Sequence, residues 1–346
     1  MNGIPLLKCD QVFIIAEAGV NHNGDKDLAF RLVDEAKKAG ADAVKFQTFI
    51  ASSVVSKNAV MADYQKKNIG TEMTQLDMIQ KFAISFSDFL AIKNYCDRLD
   101  IQFLSSPFDF ESVDFLDSIV SLFKIGSGEI TNYPFLKYVA QKGKPIILST
   151  GMCNLGEVEK AVSVIQQEGN KNLSLLHCTT NYPCSYSEVN LRAMITLREA
   201  FKLSVGYSDH TVGIEVPIAA VAMGARIVEK HFTIDQNLPG PDHKASLIPT
   251  ELKEMVLAIR NIEVALGDGI KKPNKSEFEV MNVARKSLIA SRDLKAGHIL
   301  DVSDFSIKRP GNGIKPEMLE IIIGKRLIKD VEEDELLTWE HFFGHE

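Results

Sequence analysis

No apolar run in this 346-residue chain approaches the ~18 residues that a bilayer crossing needs. The opening Met1-Asn2-Gly3-Ile4-Pro5 has no basic segment leading into a long apolar one, so the expectation is a cytoplasmic protein with no membrane partner. Cysteine is sparse and unpaired: Cys9, Cys96, Cys153, Cys178 and Cys184 are odd in number and contain no CxxC. That pattern argues against a disulfide framework and a zinc knuckle and fits small core or loop residues in a reducing cytosol. Long blocks of single-sign charge are also missing. The net charge of −7 is spread along the chain, which argues against a nucleic-acid partner and means that an anionic substrate would need a local cluster of cations.

What the sequence has instead is alternation. Short β-branched runs recur between helical patterns: Val12 to Ala16, Ala43 to Gln47, Ile101 to Leu104, Leu122 to Ile125, Pro145 to Leu148, Leu173 to Leu176, Leu203 to Gly206, and Arg226 to Val228. Eight such βα units predict a (β/α)8 TIM barrel, which takes roughly 250 residues. Each run ends in polar residues, and a parallel barrel builds its active site from the C-terminal ends of its strands. The gap from about Ile50 to Gln80 is longer than one helix requires and, with Tyr64, Gln65 and Asn68-Ile69-Gly70-Thr71, reads as a functional insertion. The expected organisation is a catalytic barrel over 1–268, a Gly/Pro/Lys linker over 269–285, and a small unit of short strands over 286–346. So small a unit is marginal alone and is expected to lean on the barrel or on a second chain.

Three constellations follow from the strand ends. His210 and His231 lie one βα unit apart, so adjacent strands would present both imidazoles to one cavity, leaving open positions suited to Mn²⁺, Zn²⁺ or Co²⁺. Asp209 or Glu229 is expected to orient an imidazole. Lys45, Ser106, Lys124, Ser127, Ser149 and Ser208 form a second group, able to hold a phosphate or carboxylate, with glycines after Lys124 admitting backbone N–H groups. Lys124 could equally be a Schiff-base lysine. The third group is acidic: Glu17 ends the first strand and Asp242 follows the eighth, and closure of the barrel would bring them together for proton transfer or sugar binding.

The motifs Ile15 to Gly24, Val44-Lys45-Phe46-Gln47-Thr48, Lys124 to Glu129, Leu148 to Met152, Gly206-Tyr207-Ser208-Asp209-His210, Glu229 to Thr233 and Gly240-Pro241-Asp242-His243 resemble those of the sialic acid synthase family. The tail, with Lys308-Arg309-Pro310-Gly311-Asn312-Gly313, is similar to that family's antifreeze-like SAF (β-clip) domain. The resemblance implies condensation of phosphoenolpyruvate with the open-chain aldehyde of an N-acetylated hexosamine, release of phosphate by C–O cleavage, and no Schiff base. It implies a divalent metal on His210 and His231, Mn²⁺ first with Mg²⁺ or Co²⁺ as alternatives. Phosphoenolpyruvate would be held by Lys45, Ser106, Lys124, Ser127, Ser149 and Ser208. Glu17, Gln47, Tyr182 and Asp242 would face the sugar, and Glu17, Glu129 and Asp242 are the candidate catalytic carboxylates. Arg309 would reach the acetamido sugar across a domain-swapped homodimer. Ser106 stands where the family usually has threonine, which keeps a hydroxyl, and Thr180 stands at a substrate-contact position where some members have asparagine.

The acceptor expected from the sequence is N-acetylmannosamine, giving N-acetylneuraminate. The alternative is 2,4-diacetamido-2,4,6-trideoxymannose, giving legionaminate. An imine-forming aldolase and a non-catalytic carbohydrate-binding or ice-binding protein are the rivals from other classes. Borohydride trapping would identify the first, and absence of phosphate release the second.

Overall fold

The computed structural model describes residues 11–61 and 74–343; Cys9, Tyr64, Gln65 and the 68–71 stretch lie outside the described residues. The chain divides into two compact units, Met1–Gly267 and Asp268–Glu346.

In the first unit eight strands alternate with helices: β1 Phe13–Gly19, β2 Ala43–Thr48, β3 Gln102–Pro107, β4 Phe123–Ile125, β5 Ile146–Ser149, β6 Leu173–His177, β7 Ser204–Asp209 and β8 Ile227–His231. They pair in parallel in the order β3-β2-β1-β8-β7-β6-β5-β4, and β4 lies against β3 to close the ring. This is the expected TIM barrel, with every strand except β4 running one to three residues further at its C-terminal end than the apolar runs suggested.

Local sequence sets the helix limits. The Asp25 carboxylate accepts the amide of Asp27 at 2.8 Å to start Lys26–Ala39, and Gly40, at φ 84°, ends it in the left-handed conformation that glycine adopts without strain. Asn154 and Glu157 exchange side-chain-to-backbone bonds at the start of Leu155–Gln167.

The strands bury both faces. Phe13, Ile15, Ala43, Leu104, Leu122, Ile147, Leu176 and Ile227 fill the barrel interior, while Ile14, Ala16, Val44, Phe46, Phe103, Val205 and Val228 pack in the larger core. Side chains alternate across a strand with a period of two, so these sets fix which later residues point inward.

The second unit pairs β9 (Ser287–Ala290) with β10 (Phe305–Lys308) antiparallel and encloses its own core of Leu288, Leu294, Leu300, Ile314, Leu327, Val331 and Leu337. The small domain therefore does not depend only on another body for apolar burial. Within the stretch expected as a linker, 269–285, Lys275–Ala284 is a helix. Its start was written in the sequence: Glu277 accepts the backbone amide of Asn274 at 2.7 Å.

Candidate active site

Two residues beyond six of the apolar plug positions, the barrel interior turns polar. Ile15 is followed inward by Glu17, Ala43 by Lys45, Leu104 by Ser106, Leu122 by Lys124, Ile147 by Ser149, and Ile227 by Glu229 and then His231. These groups line a cavity of about 150 Å³, together with Ser127, Thr180, Tyr182, Ser208 and His210. The structure thus brings together nearly every residue that the strand ends suggested.

The floor is a buried charge network. Lys45 Nζ lies 2.8 Å from Glu17 Oε2 and 3.7 Å from Glu229 Oε2, and it donates to Ser106 Oγ at 3.1 Å. Lys124 Nζ lies 3.4 Å from Glu229 Oε1 and donates to Ser149 Oγ at 2.8 Å, while Ser208 Oγ donates to Glu229 Oε1 at 2.9 Å. Burial opposes ionisation of Glu229, but Lys124 and Lys45 outweigh it and hold the carboxyl down to about 2. Burial pushes Glu17 up to about 7, against Lys45 and with help from the charge of Glu229. Burial also works against the charge on Lys45, whose two carboxylate partners nevertheless raise its pKa; the Lys124 pKa is lowered by burial, with Glu229 opposing. Two ammonium groups and several hydroxyls surround one small space beside the Glu17 and Glu229 carboxyls, a set of donors able to hold an anion.

Around this floor, Ser127 Oγ accepts the Gly151 amide at 2.9 Å and sits 3.1 Å from Cys178 Sγ. A Cβ at residue 151 would meet Thr180 Oγ1 at 2.3 Å and Ser127 Oγ at 2.8 Å, so any larger residue there would have to displace these two hydroxyls.

The two imidazoles have ring centroids 5.6 Å apart, with the Tyr182 ring 4.1 Å from His210 and 5.5 Å from His231. Burial lowers both histidine pKa values, leaving neutral rings of the kind a cation binds. His210 Nδ1 bonds the carbonyl of Thr179 at 2.7 Å, and the buried Nδ1 of His231 has no hydrogen-bond partner. An oriented imidazole beside an unsatisfied one fits a two-nitrogen metal site. Among the described residues no group of three His, Cys, Asp or Glu is arranged to hold a metal, so substrate and water would supply the other ligands. The orienting group is a carbonyl rather than the expected Asp209 or Glu229. Asp209 points outward, where Thr211 and the buried Lys230 donate to it, and Glu229 serves the lysines.

A second chamber of about 520 Å³ adjoins the first, sharing Gln47, Phe108, Tyr182 and His231 and adding Asp242. Gln47 Nε2 donates to Glu17 Oε1 at 3.4 Å, and burial pushes Asp242 up to about 6. Its outer wall comes from the insertion: Phe49, Val54 and Val55 from one side, Met78, Ile79 and Phe82 from helix Gln75–Phe82.

Glu129 lines neither chamber; its carboxylate accepts from Asn132 Nδ2 at 2.7 Å, and burial raises its pKa. Arg309 belongs to the second unit, exposed, with Nε donating to the Ala284 carbonyl at 3.1 Å. Sequence reasoning underweighted Glu229, which lies in phase with His231 on β8 and so had to point inward. It also missed Phe108 and Cys178 as cavity walls.

Comparison with known proteins agrees with this geometry. Residues 32–271 match the NeuB family model, and residues 285–342 match the SAF domain. The chain is 51% identical to the N,N'-diacetyllegionaminic acid synthase of Campylobacter jejuni, covering 94% of this chain and 99% of that protein. It is 49% identical to the synthase of the same name from Legionella pneumophila, over 95% of this chain and 94% of that one. Among solved structures, the N-acetylneuraminic acid (sialic acid) synthetase from Leptospira borgpetersenii, in complex with citrate, superposes with a TM-score of 0.70 at 37% identity, covering 78% of this chain and 90% of that chain. The chain is an enzyme of the NeuB family that carries a C-terminal SAF domain.

Proposed function

We propose that the chain condenses phosphoenolpyruvate with 2,4-diacetamido-2,4,6-trideoxymannose to form N,N'-diacetyllegionaminic acid. The observation that carries the reaction class is the buried anion site of Lys45, Lys124 and their serines, opening directly onto the His210–His231 pair. The acceptor revises the expectation of N-acetylmannosamine. The two relatives near half identity are both diacetyllegionaminic acid synthases, whereas the neuraminic acid enzyme stands at 37%.

In this reading Lys45, Lys124, Ser106, Ser149 and Ser208 bind the phosphate and carboxylate of phosphoenolpyruvate and stabilise their charge throughout. Ser127 and Thr180 flank the same ligand. C3 attacks the sugar aldehyde, forming the new C–C bond, and the aldehyde oxygen takes a proton to become a hydroxyl. Water adds at C2, loses a proton, and the C2–O bond to phosphate breaks. Glu17 and Asp242 are the carboxyls that burial leaves able to carry protons near neutral pH, one at each end of the path. A divalent metal held by His210 and His231, Mn²⁺ first, supplies Lewis-acid polarisation when bound. Gln47 and Tyr182 position the acceptor. The working unit is a domain-swapped homodimer in which Arg309 of the partner subunit reaches the acetamido group.

The test is phosphate release across an acceptor panel, using phosphoenolpyruvate labelled with ¹⁸O in its bridging oxygen. The reading expects the diacetamido sugar to give the highest kcat/KM and the label to appear in phosphate. Label retained in the sugar product, or imine trapping on Lys124 by borohydride, would overturn it.

A further inference from the structure

The outer chamber contains a second layer of information, on which end of the acceptor it reads. Gln47, Phe108, Tyr182 and His231 border both chambers and therefore surround the place where the aldehyde carbon must meet phosphoenolpyruvate. At about 520 Å³ the outer chamber is within the roughly 300–1,000 Å³ range of small-molecule sites, so the remainder of an extended hexose must lie in it. Its wall on the side of the insertion is largely apolar, with Phe49, Val54, Val55, Met78, Ile79 and Phe82, and the polar side chains among them are Ser56 and Gln75. Among the described residues lining it there is no lysine or arginine, and the single carboxylate is Asp242.

We infer that this wall is the acceptor-selecting surface, built for a sugar whose distal end is uncharged and methyl-bearing. This deepens the proposed function and rests on it. A 6-deoxy sugar with a 4-acetamido group presents two apolar groups there, the C6 methyl and the acetamido methyl. A 6-hydroxyl would be desolvated against valine, methionine and phenylalanine, with only Ser56 and Gln75 on that side to hydrogen-bond it, and a 6-phosphate would find no cation on the described wall. The wall also packs as a unit of its own. Val20, Met61, Met78 and Phe82 form a small cluster separate from the barrel cores, with Phe49 and Ile79 against it.

The test compares kcat/KM for 2,4-diacetamido-2,4,6-trideoxymannose, N-acetylmannosamine and N-acetylmannosamine 6-phosphate in the full-length enzyme and two variants. Val54→Thr keeps shape while adding a hydroxyl, and Ile79→Asn places a polar group at a half-buried position; thermal unfolding checks that each folds. The expected result is that the ratio of the first acceptor to the second falls about tenfold in each folded variant, the size of effect that one small group in an apolar pocket produces. A general loss of folding or of positioning would lower both acceptors together and leave the ratio unmoved. Wild-type preference for the diacetamido sugar with an unmoved ratio overturns the wall and leaves the acceptor assignment standing. Wild-type preference for N-acetylmannosamine or its phosphate overturns the acceptor assignment and this inference with it.

Discussion

The inner and outer chambers share four residues but are built on different physics. The inner one is a lattice of buried charges in which each group holds the next: Lys45 between Glu17 and Glu229, Lys124 between Glu229 and Ser149. Removing one member leaves its partner charged and buried, a loss of about 3–5 kcal/mol. The outer chamber is mostly side-chain surface, where a change of one group shifts affinity by a smaller amount. In the proposed reaction the donor half would thus be rigidly specified, while the acceptor half would be adjustable.

The sharpest way to break that comparison is at the junction. His231→Ala should lower kcat by on the order of 10³-fold or more, since it removes one of two nitrogens from the proposed Lewis-acid site, while folding is largely kept. Chelation of wild type should do the same, Mn²⁺ should restore it, and metal content per chain should fall in the variant. Full turnover by that variant after exhaustive chelation would sink the metal assignment.

Next in size, Lys124→Met should cost roughly 10²–10³-fold in kcat/KM for phosphoenolpyruvate. It should also lower stability, because Glu229 then keeps only Lys45 among its two lysine partners. A variant that loses neither would mean that the inner lattice is not the donor site. Smaller still, Arg309→Ala should raise the acceptor KM about tenfold with little change for phosphoenolpyruvate, as expected for loss of one charge-assisted contact. Mixing that variant with His231→Ala chains should regenerate activity in heterodimers, and inactive verified heterodimers would refute the cross-subunit role.

A separate effect is on stability rather than on turnover. Burial raises Asp242 from its ordinary value to about 6, so between about pH 4 and pH 6 the folded protein holds a proton that the unfolded chain has lost. Stability from this group is therefore complete below about pH 4 and declines as pH rises to about 6, by up to about 3 kcal/mol. Asp242→Asn lacks that titration, so its melting temperature should rise relative to wild type over this window and then level off. A constant difference at all pH values would show that Asp242 titrates normally.

Much of the inner chamber was legible because a strand has a period of two. Once Ile15, Ala43, Leu122, Ile147 and Ile227 are recognised as interior, Glu17, Lys45, Lys124, Ser149 and Glu229 must follow inward. The same rule would have corrected Asp209. It lies out of phase with Ser208 and His210 and therefore faces Lys230 behind the wall. Strand phase says nothing of Glu129, which lies beyond the strand in a tight turn, where its carboxylate accepts from Asn132. The outer wall was not legible as a surface. Phe49, Val54 and Ile79 are separated in sequence and become neighbours only through the fold of the insertion, which appeared in the sequence merely as a long gap.

The separateness of the Val20, Met61, Met78 and Phe82 cluster has an evolutionary consequence. Substitutions there alter neither the barrel plug nor the outer ring of helix–strand packing, so they can accumulate without first being compensated in either core. A lineage could therefore move between acceptor sugars by drift in this one cluster, keeping the donor lattice unchanged, and libraries restricted to these positions and their half-buried neighbours would be the economical place to seek new nine-carbon products.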